Sequence, residues 1–189
     1  MKKLLIAAVV AALPQMAAAQ SVPAPVIVVV DGNKAGTECN ACKAAMTQLQ
    51  TQAQGVQQLR QQLVAPLQSE GQQLQAQITA LNGKQPDAAL TAKITAFQAK
   101  QNTANQQLEA RAATFERNRN YALQQISDRI GPAIDAVQAR RKANIVLEAS
   151  TVARVSPALD VTADVIAELN RTLTSVATVA PAAAAPQGR

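Results

Sequence analysis

Cys39 and Cys42, spaced as Cys-Asn-Ala-Cys, are the two cysteines of a 189-residue chain, and theirs is the one spacing here that could do redox chemistry. A thiol on the first turn of a helix is acidified, and the resulting thiolate can exchange with disulfides. The other use of such a pair is a structural disulfide in an oxidising compartment. A redox pair of this type follows a strand inside a βαβ unit, and no such pattern surrounds it, so the structural use is expected. Other chemistry is thinly supplied. The chain has no His, which removes the commonest general base and the usual zinc ligand. No Gly-rich phosphate loop followed by Lys-Ser or Lys-Thr occurs. No catalytic residue, cofactor or metal site is read, and the chain is expected not to be an enzyme.

The charge is mild. The formal balance is +6, and without Lys2 and Lys3 it is 16 basic against 12 acidic residues. Such a surface can attract acidic polypeptide, anionic lipid or lipopolysaccharide. Nucleic acid is not expected as a partner, because the cations are scattered and aromatic residues make up only 2% of the chain, too few for base stacking.

The elements that would carry these residues are dominated by one stretch, residues 43–130. Apolar or small residues recur at steps of three and four through Met46, Leu49, Ala53, Val56, Leu59, Leu63, Leu67, Leu74, Ile78 and Leu81. The same period returns through Leu90, Ile94, Phe97, Ala104, Leu108, Ala112, Phe115, Leu123, Ile126 and Ile130. Between the two runs, Asn82, Gly83 and Pro86 mark a turn. The expectation is a helical hairpin with arms about 65 Å long, too long for a compact domain of this size, so it must project. Pro66 is expected to kink or loosen the first arm. About twenty Gln between Gln48 and Gln125 are read as keeping the helices soluble without strong fixed charge.

The rest of the chain builds a base for that arm. Met1 to Ala19 has two lysines, an apolar run and Ala17-Ala18-Ala19, the pattern of a cleaved secretory signal, so the mature chain is placed in the periplasm. Val26, Ile27, Val28, Val29 and Val30 read as a strand buried on both faces. Asp31-Gly32-Asn33 then breaks it, and Thr37 is the expected N-cap of the first long helix. Gly131 and Pro132 are expected to end the hairpin, with residues 133–142 a separate helical piece. Residues 144–148 read as a second strand, and residues 151–155, with Val152 and Val155, as a third. Asp160 or Thr162 is expected to cap a last amphipathic helix through Val165, Ile166 and Leu169. The organisation is thus a signal at 1–19, a small β-containing body from 20–42 and 131–175, an arm at 43–130, and a disordered tail at 176–189. The fold class is α+β, mostly α.

So small a sheet is marginal alone. Pooling strands from several copies is the remedy, through Val26, Ile27, Val28, Val29, Val30, Ile145, Val146, Leu147, Val152 and Val155. These pieces, above all the module Ala143 to Arg154 followed by Leu159-Asp160-Val161-Thr162-Ala163-Asp164-Val165-Ile166, resemble the Skp or OmpH-like periplasmic chaperones. The resemblance covers essentially the whole mature chain. It implies a jellyfish-like homotrimer, with three hairpins hanging from a shared β body, acting as an ATP-independent holdase for unfolded outer-membrane proteins. On that reading Leu81, Leu90, Ile94 and Phe97 touch the client, and Lys84, Lys93, Lys100 and Arg111 attract it. The high Gln content and the cysteine pair depart from the family's pattern. An envelope adaptor that docks folded coiled-coil partners is the alternative.

Overall fold

The computed structural model describes residues 23–182, so the signal read at 1–19 lies outside the described residues. The chain begins with β1 (Ile27–Val30), a short helix α1 (Gly32–Glu38), and two long helices, α2 (Asn40–Ala80) and α3 (Ala88–Arg141). It closes with β2 (Ile145–Glu148), two short 3-10 turns, and α4 (Thr162–Thr172).

β1 and β2 pair in parallel, with Ile27 opposite Ile145 and Val30 opposite Glu148. Parallel neighbours require a long crossover, and here that crossover is α1, α2 and α3 together. The arm is therefore the link between the two strands. α2 has 41 residues, about 60 Å at 1.5 Å per residue. It stops at the expected turn, where Asn82 and Gly83 take positive φ. Asp87 starts α3, its side chain accepting the Leu90 N–H at 2.7 Å. Three contacts between the helices are symmetric about Gln85: Gln77 with Lys93, Glu70 with Lys100, and Gln52 with Asn118.

α2 continues as helix through Pro66. α3 likewise runs unbroken through Gly131 and Pro132 to Arg141, so residues 133–142 are the end of α3 and not a separate piece. The bond that Pro132 cannot donate is offset by packing on both sides of it: Ile126, Ala133 and Val137 all lie in the core of the body. Lys142, in the left-handed region at φ 53°, ends the helix and turns the chain back toward β2.

The stretch after β1 also differs from expectation. Asp31, not Thr37, is the first cap, accepting the Lys34 N–H at 2.8 Å. The Glu148 carboxylate takes the Gly32 N–H at 3.1 Å. With those donors satisfied, a sequence rich in break residues makes a helical turn instead. Gly36 lies close under α3, where a Cβ would stand 3.0 Å from Ile130 Cδ1. Cys39 then caps α2, its sulfur accepting the Cys42 N–H at 3.1 Å.

No strand forms at residues 151–155. Val152 and Val155 are three apart and would point to opposite faces of a strand. The chain there forms a 3-10 turn at Ala149–Thr151 and another at Pro157–Leu159. Asp160 takes the place beside β1 instead, bridging in parallel to Val29, and the Val161 N–H donates to the Val29 carbonyl at 2.9 Å. The Asp160 carboxylate accepts both the N–H and the hydroxyl of Thr162, at 2.9 and 2.6 Å, and Thr162 Oγ1 accepts the Asp31 N–H. One Asp-Val-Thr segment therefore joins the end of β1 to the start of α4.

The core lies at this junction. Val28, Val30, Val137, Val161, Val165 and Leu169 pack with the cysteine pair. Val28 and Val30 are thus covered within the single chain by residues of α1, α3 and α4, and Val29, on the other face of the strand, is 2% exposed in the same single chain. Around the core, Glu168 is shielded and paired with Arg171 at 2.6 Å and Arg140 at 2.8 Å. Hydrogen bonds from Arg171 and then Arg140 hold the Glu168 carboxyl below its ordinary 4.5, and Thr162 holds Asp160 below its ordinary 3.8. Both values are lowered by folding, so the stabilisation is complete above the ordinary values and is lost as pH falls through them toward the folded ones. Thermal unfolding measured from about pH 6 down to about pH 3 is expected to show a falling Tm across that window. Glu168→Gln is expected to flatten the fall.

Candidate functional site

The middle of the arm is where α2 and α3 leave open surface between them. Phe97 on α3 faces Gly71 on α2, where a Cβ would come within 3.2 Å of the ring tip. Glycine here lets the ring lie across the seam. Beside it opens a groove of about 560 Å³, with Val64, Leu67 and Phe97 at its apolar side and Gln68, Gln101, Asn102 and Asn105 as its polar lining. A second groove, of about 540 Å³, shares Leu67 and is lined by Leu63, Pro66, Lys100 and Ala104 among others. Shallow apolar floors with amide and cationic rims suit weak contact with a chain of varied composition.

The residues singled out for client contact are distributed along this arm. Leu81, Ile94 and Phe97 are half-buried in the seam, and Lys84, Lys93, Lys100 and Arg111 are exposed. Lys100 lines the second groove and pairs with Glu70 at 2.8 Å, while Lys93 donates to Gln77 at 3.3 Å. Leu90 is only 8% exposed. It is the least exposed of the eight.

Cys39 and Cys42 form a disulfide, and both are fully buried. Thiol exchange requires access to a sulfur, so in the folded body this pair is a staple between α1 and α2. The expected oligomerisation residues separate into two groups. Val28, Val29 and Val30 are core, whereas Val26, Ile145, Leu147 and Val155 are exposed large apolar side chains. Ile27, Val146 and Val152 are intermediate. β2 pairs on one side with β1, and no further strand lies on its other side among the described residues.

One arrangement escaped the sequence reading. The sequence places residues 176–189 in a disordered tail, whereas residues 177–180 are hydrogen-bonded along the base of the arm; residues 183–189 fall outside the described residues. Gln125 on α3 holds both main-chain groups of Ala177, its Nε2 donating to the carbonyl at 2.9 Å and its Oε1 accepting the N–H at 3.1 Å. Gln52 on α2 donates to the Thr178 carbonyl at 2.9 Å, and Asn118 accepts the Ala180 N–H at 3.0 Å. Asn118 also donates to Gln52, and the Thr178 hydroxyl donates to Gln48. Gln48 and Gln52 are four apart and Asn118 and Gln125 seven apart, so each pair shares one helix face, but the same spacings recur among the other glutamines of the arm.

A small parallel sheet whose crossover is a pair of very long helices defines a class of protein with a projecting arm. The family model described as outer membrane protein (OmpH-like) matches residues 26–169, and the chain belongs to that family. No curated protein matches it. Among solved structures, one described as an OmpH-like outer membrane chaperone, from Caulobacter crescentus CB15, is similar in fold. Its TM-score is 0.67 at 22% identity, covering 82% of this chain and 90% of that one.

Among the described residues no helix is long and apolar enough to cross a membrane, and no group of three or more His, Cys, Asp or Glu side chains is placed to hold a metal.

Proposed function

We propose that this protein is an ATP-independent holdase of the periplasm, which binds unfolded outer-membrane proteins along its arm and keeps them from aggregating. The observation that carries the reading is the open seam near Phe97, where apolar floor and amide rim lie side by side in shallow grooves. Many weak contacts of that kind give avidity without a stereospecific pocket. Membership of the OmpH-like family supports the same role, as does the signal-like start of the sequence. Leu81, Ile94 and Phe97 supply apolar contact, and Lys84, Lys93, Lys100 and Arg111 the attraction to acidic segments. Anionic lipid or lipopolysaccharide is an accessory ligand of the same cations.

The working form is a homotrimer. Ile145 and Leu147 on β2, and Val26 and Val155 elsewhere on the body, expose apolar surface, and an unpaired strand edge carrying apolar side chains favours strand pairing between copies. The experiment is light scattering of a denatured outer-membrane β-barrel protein diluted into the mature chain, alongside its native mass. Aggregation is expected to be suppressed near one assembly per client, with a mass three times that of the mature chain. Unchanged aggregation overturns the holdase, and a monomer at micromolar concentration overturns the trimer.

A further inference from the structure

We propose that the amide-lined base of the α2–α3 seam is a binding site for the main chain of an extended polypeptide, and that the protein's own residues 176–180 occupy it as a built-in competitor. The proposal rests on the reading that clients are unfolded chains, and it names what the arm recognises in them.

The recognition is of backbone. Four hydrogen bonds join the segment's main chain to side-chain amides of Gln125, Gln52 and Asn118, and an amide side chain can serve either an N–H or a carbonyl. Gln125 grips both groups of one residue, as a neighbouring strand grips its partner in a ladder. The spacing requires an extended ligand. Gln125 and Asn118 are seven helical residues apart, about 10 Å along α3, and they engage Ala177 and Ala180, three residues apart, which span about 10 Å only when extended. Burial alternates accordingly: Val176, Thr178 and Ala180 are turned inward, while Ala177 and Val179 are exposed, Val179 by 70%.

A site of this form asks for small or medium side chains at every second position and leaves the intervening ones unconstrained. Strands of β-barrel proteins carry a two-residue alternation of this kind, so an unfolded barrel offers many segments that fit. The occupying segment has no strand partner among the described residues, and its main chain is held by side chains alone. Gln52 and Asn118 also line a cavity of about 320 Å³ with Arg111, Thr114, Phe115 and Val179, so the site borders open space.

The test is a binding titration. A labelled peptide of residues 174–182 is added to the full chain and to a chain ending at Leu173, with folding checked by circular dichroism. The shortened chain is expected to bind the peptide saturably and at least tenfold more tightly than the full chain. Gln52→Leu with Gln125→Leu, made in the shortened chain, is expected to weaken binding at least tenfold. Peptide N-methylated at Ala177 and Ala180 is expected not to bind, whereas a Val179→Lys peptide binds within threefold. Absence of saturable binding, or equal binding of the N-methylated peptide, overturns the proposal and leaves residues 176–180 as a structural clip. Should the shortened chain fail to fold, hydrogen exchange in the full chain decides: excess peptide is expected to speed exchange at its own Ala177 and Ala180 amides, and unchanged protection overturns the proposal. Suppressed aggregation without peptide binding removes this site and spares the holdase. Peptide binding without suppression does the reverse.

Discussion

Leu169→Ala is expected to loosen the body by about 2–5 kcal/mol, the usual cost of truncating a fully buried leucine. Leu169 is 0% exposed and packs with Val137, Val161 and Val165 at the meeting of α3, α4 and β1. α4 has 11 residues, too few to persist without tertiary packing. The disulfide is the natural reporter. Both sulfurs are fully buried, so reduction by an added thiol requires the body to open. At 1.4 kcal/mol per decade, the loss should speed reduction by about thirtyfold or more where opening is in fast equilibrium. Leu159→Ala, at a position 42% exposed, should change the rate little, as surface substitutions do. An unchanged rate for Leu169→Ala would show that α4 does not hold the body closed.

What could be read in advance follows from how far each signal depends on neighbours. The arm was legible because its period repeats over eighty residues, and no tertiary contact is needed to recognise it. Val28 to Val30 and Val165 with Leu169 were legible as core for the same reason, being continuous or regularly spaced apolar runs. α1 was not, since Gly32, Asn33 and Gly36 are poor helix formers, and its first turn is held by Asp31, which accepts the Lys34 N–H, and by Glu148, 116 positions away, which accepts the Gly32 N–H. The uninterrupted passage of α3 through Pro132 depends likewise on packing that local propensity does not contain. Residues 176–182 were hardest: nothing in Val-Ala-Thr-Val-Ala-Pro-Ala announces order, and their partners Gln52, Asn118 and Gln125 are scattered among about twenty similar glutamines. The disulfide lay between these cases, its pairing open in sequence and its burial visible only in the fold.

Shortening the arm should separate folding from function more sharply than any point change. Removing Glu70–Ala80 together with Leu90–Lys100 takes matched segments from α2 and α3, because contacts between the helices are symmetric about Gln85. Eleven residues are close to three whole turns, so each seam face meets its partner in nearly the original phase and the turn at residues 81–89 is kept. The loss is about 16 Å of arm, and with it go Gly71, Lys93, Ile94, Phe97 and Lys100. The body, whose core lies at the far end around Val30 and Leu169, should keep its disulfide protection and its native mass. Suppression of client aggregation should fall at least tenfold, because the grooves beside Phe97 vanish while the base of the seam, with Gln52, Asn118 and Gln125, remains. Retention of full suppression in this variant would move client holding from the arm to the body or to the base of the seam, and a peptide titration on the same variant would tell those two apart.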